Sequence, residues 1–206
     1  MKKNLKDYEL NELKTILGKM GEADYRAGQI FAWLYKGAES FEEMKNIPMS
    51  LRERMGEEYS PGVLYPSLVQ VSKIDGTRKY LFELEDGNAI ESVFMKYKYG
   101  NTICVSSQAG CRMGCRFCAS TLDGLCRDLT PGEMSEQLLA VQRDTGERIN
   151  HIVIMGSGEP FDNYENVSTF LRIAGDPAGL GLSMRNITVS TCGIIPGIER
   201  FAEDFP

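Results

Sequence analysis

The sequence has one histidine, one tryptophan and no excess of positive charge, its formal net charge being −6. A negative chain is poorly suited to binding nucleic acid through bulk electrostatics, because such binding neutralises phosphates with Lys and Arg. No apolar run approaches the roughly 20 residues that cross a bilayer, and the basic start is not followed by a secretory signal pattern. These absences predict a globular cytoplasmic protein with no membrane-spanning segment.

The composition also gives little support for a disulfide-stabilised domain. The chain has 206 residues, enough for a sizeable core, and its six cysteines are not preceded by a signal peptide. Cysteines in such a chain indicate metal binding or catalysis rather than disulfides.

Residues 1–60 are predicted to form a small helical domain. Apolar residues recur at helical spacing over 8–20 and 26–35, and a further helix is expected over 50–58. Ser40, with Glu43 three residues later, has the pattern of a capping box and predicts another helix between them.

The periodicity changes after residue 60. Strand-like runs separated by Gly-containing turns predict a β-meander over 61–101 that leads into a core strand at 102–106. From 102 to 206, strands alternate with helices, which predicts an α/β domain with a parallel sheet or a (β/α) barrel. Helices are expected from Thr130, over 164–174 and from Pro196, and strands over 151–155 and 186–190.

The most specific pattern is Cys111-Arg-Met-Gly-Cys115-Arg-Phe-Cys118, which follows the core strand. A [4Fe–4S] cluster is held by Cys thiolates, and a run with only three ligands leaves one iron open to another molecule. Gly114 allows a sharp turn, and Phe117 is expected to shield the cluster from solvent.

A structural zinc site and a redox-active dithiol are the alternatives to a cluster. A structural zinc site needs four ligands, commonly two pairs, but the chain has no second C-x2-C and its only histidine, His151, is far downstream at a strand edge. A thioredoxin-like dithiol at Cys115 and Cys118 leaves Cys111 unexplained. The spacing favours a cluster over both.

The C-x3-C-x2-C run resembles the signature of the radical S-adenosylmethionine (SAM) superfamily. Its context from Cys104 to Ala119, with segments 25–30 and 129–134, resembles the RlmN family of RNA adenine-C2 methyltransferases. The resemblance covers essentially the whole chain. It implies a [4Fe–4S] cluster on the three cysteines of the run, with SAM bound at the fourth iron.

The same resemblance implies the fold. Residues 102–206 would form the first half of a truncated (β/α) radical SAM barrel, preceded by an RNA-binding helical domain at 1–60 and a β-meander linker at 61–101. A full barrel of eight units takes about 250 residues, so this stretch has room for three to four units where the family needs six. The chain is therefore expected to be a fragment that exposes a sheet edge, lacks the methyl-accepting cysteine and has no turnover alone.

Three residues are implied to bind SAM. The segment Met155-Gly-Ser-Gly-Glu-Pro160 resembles the motif that receives the methionyl ammonium, which assigns that role to Gly158 and Glu159. The family usually has Met where this chain has Ser157. Ser190 matches a position that contacts SAM, although a serine at a strand end is otherwise a turn or cap residue. Cys126 and Cys192 match no functional cysteine of the family.

Glu91 and Cys104 are the implied catalytic residues. Glu91 alternates with apolar neighbours, a pattern typical of a solvated strand face, and the resemblance makes it a proton acceptor. Cys104 would on its own be a packing residue, and the resemblance implies that it resolves a covalent protein–RNA intermediate.

The implied reaction is methylation of adenine C2 in 23S rRNA, in the peptidyl-transferase loop, and in the tRNA anticodon loop, through a methylated cysteine. Because C2 is electrophilic, ordinary methyl transfer lacks a nucleophile, and radical chemistry supplied by the cofactor removes that obstacle. The implied partners are both RNAs and an electron donor such as flavodoxin, and a monomer is expected. Methylation of C8, as in the sister family, and a catalytically silent iron–sulfur or RNA-binding module remain open alternatives.

Contacts with RNA are expected from the N-terminal helices and from Met95–Tyr99, where two lysines alternate with two tyrosines that can stack on bases. Met95–Tyr99 could equally be an ordinary solvated hairpin tip with no contact to RNA. Because adenine C2 must leave the stack to react, unpaired adenosines should be preferred to duplex.

Overall fold

A computed structural model of the protein describes residues 2–206. Its N-terminal part contains α1 (Leu10–Lys19), α2 (Tyr25–Tyr35) and α3 (Met49–Glu58). The short strands β1 (Lys3–Asn4) and β2 (Tyr59–Ser60) pair in parallel and join the two ends of this helical part.

The helix expected after Ser40 is wrong. Both hydrogen bonds of the capping box form, but they hold only a single 3-10 turn, Phe41–Glu43. Pro48 follows closely and disfavours helical backbone at Ile47, the residue before it. The capping box is therefore confirmed, whereas the element that it begins is a single turn.

The remaining strands and helices confirm the α/β prediction. The strands are β3 (Pro66–Val71), β4 (Arg78–Glu83), β5 (Ala89–Tyr97), β6 (Gly100–Val105), β7 (Gln108–Gly110), β8 (Leu125–Asp128), β9 (His151–Ile154) and β10 (Ile187–Val189). The helices are α4 (Pro131–Thr145), α5 (Tyr164–Gly175) and α6 (Ile195–Asp204).

Six strands form one sheet in the order β10-β9-β6-β5-β4-β3. The strands β6, β9 and β10 are parallel, as in a barrel built from βα units, whereas β3 to β6 form the antiparallel meander. The sheet is not closed and has β3 and β10 at its edges, consistent with a partial barrel. The division of the chain at 60 and 101 stays a prediction, and the meander strands share their sheet with β6.

The sheet is covered on one face by α4 and α5. The side chains that it buries there are apolar, and they include Phe94, Ile103, Val105, Ile152 and Ile154. The N-terminal helices pack on the far side of α4 and α5, through contacts that include Leu139 and Ile173. The order of layers is thus sheet, α4 with α5, and N-terminal helices.

Helix α4 is the structural link between the two parts. It begins as predicted at Thr130, whose side chain accepts the N–H of Glu133. The ammonium group of Lys6, in the N-terminal part, donates a hydrogen bond to the carboxylate of Glu136 on α4. Both side chains are almost completely buried. The Glu136 carboxylate also accepts hydrogen bonds from Arg143 and from the backbone N–H of Leu64. A buried ionic network therefore fixes the N-terminal part against the α/β part.

Within residues 2–206, the helices are all too short or too polar to cross a membrane.

Candidate functional site

The predicted site residues gather at one edge of the sheet. Because β6, β9 and β10 are parallel and in register, with Ile154 beside both Val105 and Val189, their carboxyl ends lie together. We call this region, with the loops that follow the three strands, the carboxyl edge. Ligands of open α/β sheets bind outside such strand ends.

The predicted cluster ligands lie in a loop that is closed at its base. The strands β7 and β8 pair on either side of it, and the N–H of Cys111 donates to the carbonyl of Gly124 at 2.9 Å. We call residues 111–124 the cysteine loop. Gly110 has φ +76°, and a Cβ there would lie 2.1 Å from the Gly124 carbonyl oxygen. Only glycine allows this closure.

The three thiols differ in exposure. Cys111 is buried, whereas Cys115 and Cys118 are partly exposed and linked by a hydrogen bond from the Cys118 N–H to the Cys115 carbonyl. The Thr121 hydroxyl bonds to both of these residues' carbonyls. The Phe117 side chain is 95% exposed, and its shielding of a bound cluster stays a prediction.

The donors that the loop offers to a metal centre are its three thiols. Among residues 2–206, no three His, Cys, Asp or Glu side chains lie close enough together to hold one metal ion. A tetrahedral zinc site needs four ligands, and this loop offers three thiols. Three thiolates with no fourth protein ligand match a cluster that keeps one iron open.

The loop after β9 packs directly on the strand that leads to the cysteines. The N–H of Ser157 donates to Ser106 Oγ at 2.9 Å, and its carbonyl accepts the N–H groups of Ser107 and Gln108. At Gly158, with φ +106°, a Cβ would lie 2.6 Å from the Gln108 backbone nitrogen. A glycine is thus required there, while Ser157 fits because its role is carried by its backbone.

Glu159 is buried, with 3% of its surface exposed. Its carboxylate accepts the N–H of Phe161 at 3.0 Å on one oxygen and the N–H of Cys192 at 2.7 Å on the other. These bonds fix the carboxylate, and each oxygen keeps a lone pair for a further donor such as an ammonium group.

Cys192 was not expected at the site. Partial desolvation and the neighbouring Glu159 carboxylate raise the pKa of its thiol to about 11, and the Cys111 and Cys115 thiols also contribute. No sequence pattern identified this residue, because its place depends on the pairing of β10 with β9.

Ser190 follows the last residue of β10 and is exposed. Its N–H donates to the carbonyl of Ile154 at 3.3 Å, which places it at the carboxyl edge beside the end of β9. Contact of Ser190 with SAM stays a prediction.

Glu91 and Cys104 lie on the open face of the sheet, opposite α4 and α5. Val93 pairs with Cys104 across β5 and β6, so Glu91 and Cys104 are diagonal neighbours on one face. The Glu91 carbonyl accepts the Ser106 hydroxyl at 2.7 Å, and its half-exposed side chain pairs with Lys79 at 2.7 Å. Burial raises the pKa of the Cys104 thiol.

The segment Met95–Tyr99, which is predicted to contact RNA, lies at the end of the sheet opposite the carboxyl edge. Tyr97 pairs with Gly100 at the amino end of β6, and Tyr99 stacks edge-on against His151, the first residue of β9. With a rise of about 3.3 Å per residue, this tip is about 17 Å from the carboxyl edge. Lys96 is paired with Glu147. Contact of this hairpin with RNA stays a prediction, and any such contact would lie away from the carboxyl edge.

Comparisons with known proteins agree with this arrangement. Residues 3–60 match a model of the ribosomal RNA large subunit methyltransferase N-terminal domain, and residues 105–205 match one of the radical SAM superfamily. A crystal structure of a radical SAM methyltransferase from Sphaerobacter thermophilus superposes with a TM-score of 0.89 at 41% identity, over 97% of this chain and 60% of that one.

Curated relatives share the similarity along nearly the whole chain. Proteins named probable dual-specificity RNA methyltransferase RlmN from Lachnospira eligens and Pelotomaculum thermopropionicum are 51% and 53% identical, over 97% and 98% of this chain. The relative of the same name from Clostridium novyi is 52% identical over 98%. The chain spans 57%, 55% and 59% of these relatives, somewhat more than half their length.

Proposed function

Because this chain belongs to the RlmN family of radical SAM proteins, we propose that it forms the cluster-binding and SAM-binding part of an enzyme that methylates adenine C2 in RNA. One observation carries the proposal: the cysteine loop, the Gly-Ser-Gly-Glu-Pro loop and Ser190 all meet at the carboxyl edge. Three sequence motifs that are far apart in the chain are thereby brought to a single site.

Each residue at the edge has a definite task in this proposal. Cys111, Cys115 and Cys118 hold three irons of a [4Fe–4S] cluster and leave the fourth for SAM. When bound, the cluster and SAM supply radical chemistry, which the electrophilic C2 carbon requires. The buried Glu159 carboxylate and the backbone at Gly158 accept hydrogen bonds from the SAM ammonium group.

On the open face, two residues act toward the base. Glu91 accepts the proton that leaves C2, and its half-exposed position next to the carboxyl edge gives it access to a substrate. Cys104 provides the thiol that resolves the covalent protein–RNA intermediate. Their diagonal placement on neighbouring strands lets both reach one base.

The substrates proposed are 23S rRNA and tRNA, with flavodoxin or a similar protein as electron donor and a cytoplasmic monomer as the working form. The net charge of −6 indicates that affinity for RNA rests on local contacts and shape, so binding should depend only weakly on salt. The candidates for RNA contacts are the N-terminal helices and the hairpin segment Met95–Tyr99.

The cofactor part of the proposal is tested by anaerobic reconstitution of the chain. We expect the visible absorption and the reduced EPR signal of a [4Fe–4S] cluster, and the loss of both in Cys111→Ala, Cys115→Ala and Cys118→Ala. Cys126→Ala is the matched control, because this exposed cysteine lies outside the loop. Stoichiometric zinc without iron would contradict the proposal.

The reaction is tested by mass spectrometry of adenosine from RNA modified by a protein that carries this sequence within the length of its relatives. 2-Methyladenosine is expected. Finding only 8-methyladenosine would move the protein to the sister chemistry, and SAM binding without any modified base would support a silent module.

A further inference from the structure

The cysteine loop has a single side-chain link to the rest of the protein. Among the residues that the structure describes, Arg112 is the only side chain of 111–124 that hydrogen-bonds outside the loop. Its Nε donates to Asp162 Oδ2 at 2.9 Å, and its Nη2 donates to Oδ1 of the same carboxylate. A bidentate pair of this kind fixes orientation as well as distance.

Asp162 belongs to the loop that carries Glu159. Its side chain is 10% exposed, whereas that of Arg112 is 62% exposed. The exposed arginine of the cysteine loop thus binds a nearly buried carboxylate. The hydrogen bonds from Arg112 lower the pKa of Asp162, which is the direction expected for a carboxylate paired with a guanidinium group.

The second partner of Asp162 extends the connection to Glu159. The fully buried Gln108 donates from Nε2 to Asp162 at 2.9 Å and to Asp128 at 2.7 Å. Its Oε1 accepts the backbone N–H of Glu159 at 2.8 Å. One glutamine therefore joins the carboxylate that holds Arg112 to the residue proposed to receive the SAM ammonium.

We propose that Arg112, Asp162 and Gln108 are positioning residues that set the cysteine loop relative to Glu159. The inference rests on the proposed function, since it concerns SAM held between the open iron and Glu159. A ligand bound at two points is held well only if those points keep a fixed separation, and small displacements weaken such sites strongly. Without the tether, the three thiols can still collect iron, but the loop is free to shift against Glu159.

The first test needs no cofactor and uses the 206-residue chain. Amide hydrogen exchange in residues 111–124 is compared between wild type, Arg112→Gln and Arg116→Gln. Arg116 is the matched control, because it is exposed in the same loop and has no side-chain hydrogen bond or ion pair among residues 2–206. Exchange is expected to be about tenfold faster in Arg112→Gln, equivalent to about 1.4 kcal/mol, and unchanged in Arg116→Gln.

The second test uses the reconstituted protein. Iron content should be equal in wild type and both variants, whereas Arg112→Gln should bind SAM about tenfold more weakly and show a smaller SAM-induced change in the EPR spectrum. Arg112→Lys should bind SAM with an affinity between those of wild type and Arg112→Gln, because it keeps the charge but not the bidentate geometry. Asp162→Asn should resemble Arg112→Gln.

The outcomes separate the two proposals. A wild type that forms no cluster, or whose cluster ignores SAM, overturns the proposed function and the positioning role with it. A wild type that responds to SAM, with Arg112→Gln indistinguishable from it in SAM affinity, overturns the positioning role alone. Faster exchange without weaker SAM binding has the same meaning, because the tether would then hold the loop without serving the cofactor.

Discussion

The two faces of the six-stranded sheet are made by the same strands and differ in almost every property. On the face covered by α4 and α5, Phe94, Ile103 and Ile152 pair across three strands and are completely buried. On the open face, Lys79, Glu91 and Cys104 alternate with them and stay at least partly exposed. Strand alternation thus lets one sheet carry stability on one side and chemistry on the other.

The two faces should therefore respond differently to amino-acid substitutions. Substitutions on the covered face should lower stability, and substitutions of exposed side chains on the open face should alter function with little change in stability. Four substitutions test this difference, and their expected effects on the free energy of unfolding decrease from the first to the last.

The largest effect is expected from Phe94→Ala on the covered face. Removing a fully buried ring leaves a cavity under α4, which should lower the free energy of unfolding by about 3–5 kcal/mol. Val93→Ala, one residue along and on the open face, is the control and should cost clearly less. Urea titration of both variants measures the difference, and equal losses would show that the two faces do not differ in packing.

The next effect is expected at the buried ions between α4 and the N-terminal part. Glu136→Gln removes the carboxylate from the buried Lys6 ammonium, which should cost about 3 kcal/mol because an uncompensated charge is left. Lys6→Met should cost less, since Glu136 keeps Arg143 and the Leu64 N–H. Thermal and urea unfolding would refute this account if the lysine substitution were the more damaging.

A smaller effect is expected at the start of α4. Thr130→Ala removes the side chain that caps the Glu133 N–H and should lower the free energy of unfolding by about 1 kcal/mol. Thr130→Ser keeps the hydroxyl and should retain most of the stability. If alanine and serine were equivalent, capping would not contribute at this helix.

The smallest effect on stability is expected at Glu91, the proposed proton acceptor. Glu91→Gln removes an exposed ion pair with Lys79 and should cost less than about 1 kcal/mol. In the full-length enzyme, the same substitution should abolish methylation of adenine, because glutamine cannot accept the proton that leaves C2. A large loss of stability would instead make Glu91 a structural residue and would remove the distinction between the faces at this position.

Local patterns predicted local features well. The capping residues at Thr130 and Glu133 and the glycine turn of the cysteine loop follow from residues close together in the chain, and the structure confirms them. The 3-10 turn after Ser40 shows the limit, because the capping pattern does not encode how far a helix continues.

Features that depend on distant residues could not be predicted in the same way. Arg112 and Asp162 are 50 residues apart, and the Cys192 N–H reaches Glu159 only because β10 lies beside β9. The exposure of Phe117 and the far position of the Tyr97 hairpin likewise depend on which ends of the strands meet. The roles of Gly158, Glu159, Ser190, Glu91 and Cys104 came from family resemblance, and the structure adds their placement.

The most direct measurement is electron–nuclear double resonance on the reduced, reconstituted chain with SAM labelled by 15N at its amino group and 17O at its carboxylate. Coordination at an open iron predicts hyperfine coupling to both nuclei in wild type. It also predicts weaker occupancy in Glu159→Gln, with an iron content equal to that of wild type. A cluster signal that forms normally but shows no coupling to either label would contradict the assignment of the carboxyl edge as a SAM site.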